Sequence, residues 1–302
     1  MYTLALLLKI GEVFMQKILV TGAGGFLASR FYEVYKNKYD IISLKRGDLD
    51  ITDEAKVIET IRDAKPDYVL HTAALADTGK CEENKELSFA INVKGSINIA
   101  KACSLSKAKL LHFSTEQIFN GNVEAGPYSE KSIPVANTTY GKHKLQAEEE
   151  IKNILEEAWI LRLTWMFGLP ERFKKVNSNI VWNVVSAAIK GNSLKIPTNE
   201  FRGMTYAYDL LKNIPNIIKV PYGIYNTGSE NNLSTYDIAK LVVEELGLSY
   251  RIENIIQKDE ERYKDLPRDI RISNKKFRNL GIEFLSTEKA IKQCVNDFGM
   301  RF

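Results

Sequence analysis

Cysteine, histidine and long apolar runs are all scarce in this chain of 302 residues. Cys81, Cys103 and Cys294 are an odd number without metal-type spacing, so neither a disulfide framework nor a thiolate metal site is expected. They read as reduced thiols of a cytoplasmic protein. His71, His112 and His143 share no ligand spacing with carboxylates, and no metal is expected. Charge of one sign is missing too. Lys and Arg total 42 against 38 Asp and Glu, and the basic residues gather in no tract. That balance gives no footing to a nucleic-acid polymer or a membrane surface. The apolar stretch Leu4–Leu8 is broken by Lys9 and Glu12, too short for a membrane span, and it lacks the basic flank and cleavage site of a signal peptide. Residues 1–14 read as an appendage before a domain that opens at Met15.

What the sequence does have is a rhythm. Apolar, β-branched runs at Lys17–Thr21, Asp40–Leu44, Tyr68–Thr72, Leu110–Ser114 and Trp159–Leu163 alternate with helical patterns at Leu27–Lys36, Glu54–Ala64, Glu86–Leu105 and Tyr140–Glu157. That alternation predicts an α/β, Rossmann-like doubly wound parallel sheet. After Gly168 the rhythm loosens. A helix is expected over Ile180–Lys190, closed by Gly191, then a strand at Tyr222–Asn226 and a helix capped by Ser234 that runs to Leu246. The last sixty residues look shorter and more polar. The expected organisation is a dinucleotide-binding domain over 15–165, joined by about 205–228, with 166–302 mainly a smaller substrate-binding lobe.

Gly22-Ala23-Gly24-Gly25-Phe26-Leu27-Ala28 leads from the first strand into the first helix. Gly22 permits a tight turn, Gly25 lets backbone approach a pyrophosphate, and the N–H groups at Phe26 and Leu27 open the helix toward the phosphates. A dinucleotide is the expected ligand. About 20 positions on, where NAD-binding domains often carry an acid for the ribose 2′-OH, stand Lys45 and Arg46. They suit the 2′-phosphate of NADPH, with NADH possible; the other reading is two solvated loop charges. Asp48, Asp50 and Asp53 lie near enough to meet the adenosine.

Tyr140 and Lys144 stand one helical turn apart, where an ammonium would favour the phenolate and draw the tyrosine down from a pKa of about 10. Tyr140 could then protonate a substrate oxygen as hydride reaches carbon. Spacing alone decides nothing, because Tyr32/Lys36, Tyr208/Lys212 and Tyr236/Lys240 repeat it. Only Tyr140 follows a strand ending in Phe113-Ser114-Thr115, and strand ends open on the ligand crevice of such a sheet. Thr115 could share the substrate oxygen.

With the glycine turn, His71-Thr72-Ala73-Ala74, Asn92, Ser114-Thr115 and Tyr140/Lys144, the chain resembles the extended short-chain dehydrogenase/reductases. Lys80-Cys81-Glu82-Glu83, Phe113 through Gly121, Tyr128-Ser129-Glu130, Tyr140 through Leu145, Leu161 through Gly168 and Leu266-Pro267-Arg268 are similar to the dTDP-4-dehydrorhamnose reductase family. The resemblance implies an NAD(P)H-dependent reduction of the 4-keto group of a nucleotide-linked deoxysugar, with Tyr140 as acid, Lys144 as its support and Thr115 as carbonyl partner. It implies a cofactor site that also takes in Asp50, Ile51, Ala73, Ala74, Leu75, Asn92 and Ser114, and a homodimer is possible. Trp165 matches a substrate-site tryptophan of the family, or is a core aromatic at a strand end. Arg202 and Arg268 could grip a diphosphate or make surface ion pairs.

Some positions depart from the family. Thr115-Glu116-Gln117 replaces its usual Thr-Asp-Tyr, so Glu116 is expected in a reshaped sugar pocket. Asn199 through Tyr206 lacks the family's Pro-Thr pair, and Gly79 stands where an Asp is usual. Glu148-Glu149-Glu150 reads as a solvated helix face, His71 as a packing residue, and His143 as pointing away from the catalytic pair. The alternatives are a sugar-nucleotide epimerase, or a non-catalytic NADP-binding subunit resembling the regulatory subunit of methionine adenosyltransferase.

Overall fold

The computed structural model describes residues 15–301; the appendage expected over 1–14 lies outside them. Strands β1 (Lys17–Thr21), β2 (Asp40–Leu44), β3 (Tyr68–His71), β4 (Lys109–Thr115), β5 (Ala158–Leu163) and β10 (Gly223–Thr227) form one parallel sheet in the order β10-β5-β4-β3-β1-β2. Their runs are apolar on both sides because helices cover both faces. On one face, α1 (Phe26–Tyr35) and α6 (Ala207–Ile217) bury Phe31, Leu210 and Ile214 against Val20, Leu111 and Leu161. On the other, α2 (Glu54–Ala64), α3 (Gly95–Ser106) and α4 (Thr139–Ile154) bury Val57, Ile61, Ile99 and Ile151 against Leu19, Val69 and Ile160.

The C-terminal part has its own core. Helices α5 (Ile180–Lys190), α7 (Thr235–Glu245) and α8 (Thr287–Asp297) pack Val184, Val242, Ile291 and Val295 together. Three short parallel pairs complete this lobe: β6 (Trp165–Phe167) with β9 (Met204–Tyr206), β7 (Leu194–Pro197) with β11 (Ile256–Asp259), and β8 (Glu200–Phe201) with β12 (Arg268–Asp269). Gly191 closes α5 at φ +69, and Ser234 caps α7 by accepting from the Asp237 amide.

Three expectations need revision. The helix expected over Glu86–Leu105 is interrupted: Lys85–Phe89 is α-helical, Ala90–Lys94 is a π-turn, and α3 begins at Gly95. The helix expected to reach Glu157 stops at Ile154, since Ala158 already pairs in the sheet. The last sixty residues include the three-turn helix α8, whose buried face a mostly polar sequence concealed.

Candidate active site

The loop after β1 is built for a close approach. Gly22 sits at φ +68, and a Cβ there would stand 2.8 Å from both the Cα and N of Ala73. Gly25, in extended conformation, leads into α1 with no side-chain cap, so the first-turn amides, Phe26 and Leu27 among them, have no intrahelical partner. That cradle fits a dinucleotide pyrophosphate. Lys45 and Arg46 follow β2 and are exposed. Asp50 is occupied locally, accepting from the amide and hydroxyl of Thr52 at 2.9 and 2.8 Å, which hold its carboxyl below the usual range. Ile51 is buried, and its carbonyl accepts from Asn98 at 3.0 Å.

Two residues expected at the cofactor have protein partners. Asn92 donates to the Leu75 carbonyl at 3.0 Å and accepts from the Leu75 amide at 2.9 Å, so its side chain brackets the Ala73–Leu75 loop. The π-turn, which carries Asn92, is what the uniform helical reading missed. Ser114 donates to Glu148, and Glu148 takes the Arg162 guanidinium in a fork at 3.0 and 2.7 Å. Glu148 is therefore no solvated charge: it is 1 % exposed, because its helical position faces β4 and β5 while Glu149 does not. Periodicity places Glu148 one turn beyond Lys144, a signal for this that the acidic run masked.

Tyr140 and Lys144 lie on α4, which starts at a Thr138 cap and is held by Glu82 through the amide and hydroxyl of Thr139 at 2.6 and 2.7 Å. Thr115, the last residue of β4, accepts from the Gln117 amide at 3.2 Å and lies close enough to Tyr140 for its hydroxyl to favour the phenolate. The expected lowering of Tyr140 by Lys144 is not what the geometry gives. Burial, then the Cys81 thiol, push the phenol above its ordinary value, and the Thr115 hydroxyl opposes them. The Lys144 ammonium is turned to His112 Nε2 at 3.1 Å, and burial brings it down to about 8 against the pull of Glu148. His143 instead reaches Ser88 at 2.8 Å.

Near Tyr140 an alternating charge cluster links the two halves of the chain. Glu116 pairs with Arg202, whose guanidinium lies 4.6 Å over the Trp165 ring. Arg268 pairs with Glu200 and donates to Gln117 at 2.6 Å, while Thr235 donates to Glu200 at 2.9 Å. Burial raises Glu116 to about 7 even with Arg202 against it, and its Oε2 has no partner among the described residues. Each arginine expected to grip a diphosphate is thus already partly neutralised. Both border a cavity of about 690 Å³ into which Lys195, Arg262, Tyr263 and Asn183 also project.

One buried cation escaped sequence reading. Arg30 on α1 donates to the carbonyls of Phe26, Leu169 and Lys175 at 2.8, 3.1 and 3.0 Å and pairs with Glu171 at 2.8 Å. It ties the loop after β6 to the start of α1.

A family model described as the RmlD substrate binding domain matches residues 15–300. The chain belongs to the RmlD substrate-binding domain family. Among RmlD-family relatives, the spore coat polysaccharide biosynthesis protein SpsK of Bacillus subtilis is 27% identical over 284 residues, 94% of this chain and 98% of its own. A dTDP-4-dehydrorhamnose reductase of Aggregatibacter actinomycetemcomitans is 28% identical over 250 residues, 80% of this chain and 83% of its own. The crystal structure of dTDP-4-dehydrorhamnose reductase from Bacillus anthracis, in complex with NADP, has TM-score 0.83 at 22% identity and covers 94% of this chain and 99% of its own. Among the described residues of this RmlD-family chain, no helix is long and apolar enough to cross a membrane.

Proposed function

We propose that this RmlD-family chain is an NADPH-dependent reductase of a nucleotide-linked 4-keto-deoxysugar, with dTDP-4-dehydrorhamnose as the substrate to test first. The observation that carries the reading is Tyr140 and Lys144 one turn apart on α4 with Thr115 at the end of β4 beside them, in the same sheet whose first strand leads into the glycine cradle. Residues 15–165 together with about 205–228 hold the cofactor, and 166–302 supply most of the sugar-nucleotide cavity.

When bound, NADPH supplies the hydride. Tyr140, kept protonated by its buried setting, gives its proton to the substrate oxygen. Thr115 donates to the same oxygen, and Lys144 offers N–H groups to the cofactor ribose and counters the phenolate that Tyr140 leaves behind. Gly22, Gly25, Phe26 and Leu27 take the pyrophosphate, and Lys45 and Arg46 the 2′-phosphate. Trp165, Arg202 and Arg268 shape the wall that meets the sugar diphosphate. SpsK and the rhamnose reductases are both similar to the chain, which supports a reductase of this class without choosing the sugar.

The test is NADPH oxidation followed by absorbance in the presence of dTDP-4-dehydrorhamnose. Turnover is expected, and Tyr140→Phe should lower kcat by roughly 100-fold or more with little change in KM. Bound NADPH that is never oxidised would sink the rhamnose assignment. Full activity in Tyr140→Phe would sink the mechanism.

A further inference from the structure

Two of the three histidines are buried side by side beneath the candidate active site. His71 on β3 and His112 on β4 are register partners with ring centroids 5.5 Å apart. His71 is spoken for at both nitrogens, Nδ1 by Thr21 at 2.7 Å and Nε2 by Ser96 at 3.3 Å. His112 is 1 % exposed, with Nε2 at 3.1 Å from Lys144 Nζ and Nδ1 lacking any partner among the described residues. An ammonium can only donate, so Nε2 must accept, which places the imidazole proton on Nδ1. Burial, then Lys144, then His71 keep the His112 ring well below its usual titration range, so it stays a neutral acceptor.

The groups that face Lys144 from the packed elements are few. Its own helix presents Glu148, with Tyr140 one turn before it along α4; β3 presents His71, and β4 presents His112. Glu148 attracts it from a distance, while its oxygens serve Ser114 and Arg162. Among the described residues, His112 is the one side chain in hydrogen-bond contact with the ammonium.

We propose that His112 is a positioning residue for Lys144: by accepting one ammonium N–H through Nε2 it fixes where the nitrogen sits and holds it charged, leaving two N–H bonds for the cofactor ribose and the phenolate side. This rests on the reading that Lys144 serves Tyr140. Losing the acceptor penalises the charged amine, so Lys144 would release its proton at lower pH.

The experiment follows the ¹³Cε resonance of Lys144 in the full chain against pH, without substrate, and alongside it the pH profile of kcat. In the wild-type protein the resonance should titrate near 8. His112→Phe should shift it down by about one unit, with the basic limb of kcat following and KM for the nucleotide sugar changing less than about twofold. His112→Gln, whose amide oxygen can still reach Lys144, should bring it back to within about 0.3 unit, and His112→Asn, which is too short, should not. An unchanged Lys144 titration in a folded, NADPH-binding His112→Phe overturns the proposal. If the Phe variant does not fold, identical titrations in the Asn and Gln variants overturn it. The resonance arm needs no turnover, so absence of reductase activity would count against the function and leave this inference separately decided.

Discussion

At the scale of single residues, the site depends on ions with almost no water around them. Glu148 and Arg162 are 1 % and 4 % exposed, joined by a fork and braced by Ser114, one turn from Lys144. Such a pair is weak evidence of net stability, but breaking it on one side strands the other charge. Glu148→Gln should therefore cost about 3–5 kcal/mol in urea unfolding, while Glu148→Gln with Arg162→Met should cost less than the two single changes added together. Additive costs would show that the two side chains do not act as a pair. The placement of Tyr140 and Lys144 one turn apart on a helix and of Thr115 at a strand end was legible in the sequence, because local pattern fixes both elements. Their protonation was not. Spacing suggests that Lys144 lowers Tyr140, yet burial dominates the phenol and His112, far away in sequence, takes the ammonium.

At the scale of elements, the sheet and its crossover helices follow from local pattern, and so they were readable to within a few residues. The π-turn at Ala90–Lys94 was not, because every residue in it also suits an α-helix; what selects it is Asn92 reaching across to the Leu75 backbone. The pairs β8–β12 and β7–β11 escaped for a related reason. Two to four residues carry no periodicity, and their partners lie about sixty to seventy residues away. The glycine turn is the opposite case, fixed by local backbone geometry. Gly22→Ala meets both a positive φ and the Ala73 backbone, so it should destabilise by about 1–3 kcal/mol and weaken NADPH binding, read by cofactor fluorescence. Alanine with unchanged stability and binding would show that the turn relaxes freely.

At the scale of the whole molecule, the two halves are joined by charge beside the cavity that Arg202 and Arg268 line. Glu116 and Gln117 come from the end of the parallel sheet, and Arg202 and Arg268 from the smaller lobe. The sequence pointed to Arg202, Arg268 and Glu116 as substrate contacts, but it held no sign that they meet one another, since 86 positions separate Glu116 from Arg202. Glu116 has its folded pKa raised from 4.5 to about 7, so the folded state holds this proton more tightly than the unfolded chain. Its contribution to stability is full below pH 4.5 and declines as pH rises through 7. Glu116→Gln should remove that decline, visible as a Tm that falls less than that of wild type as pH rises from 4.5 through 7. Arg202 lowers the Glu116 pKa, so removing it drives the carboxyl further up and lets it stay neutral at acid pH. The cost of Arg202→Leu should then be modest at low pH and grow above pH 7, where Glu116 must either ionise unpaired or keep a proton that the unfolded chain sheds. Urea unfolding below pH 4.5 and well above pH 7 measures the difference, expected at about 1 kcal/mol or more, and a pH-independent cost would mean that Arg202 and Glu116 are not thermodynamically coupled.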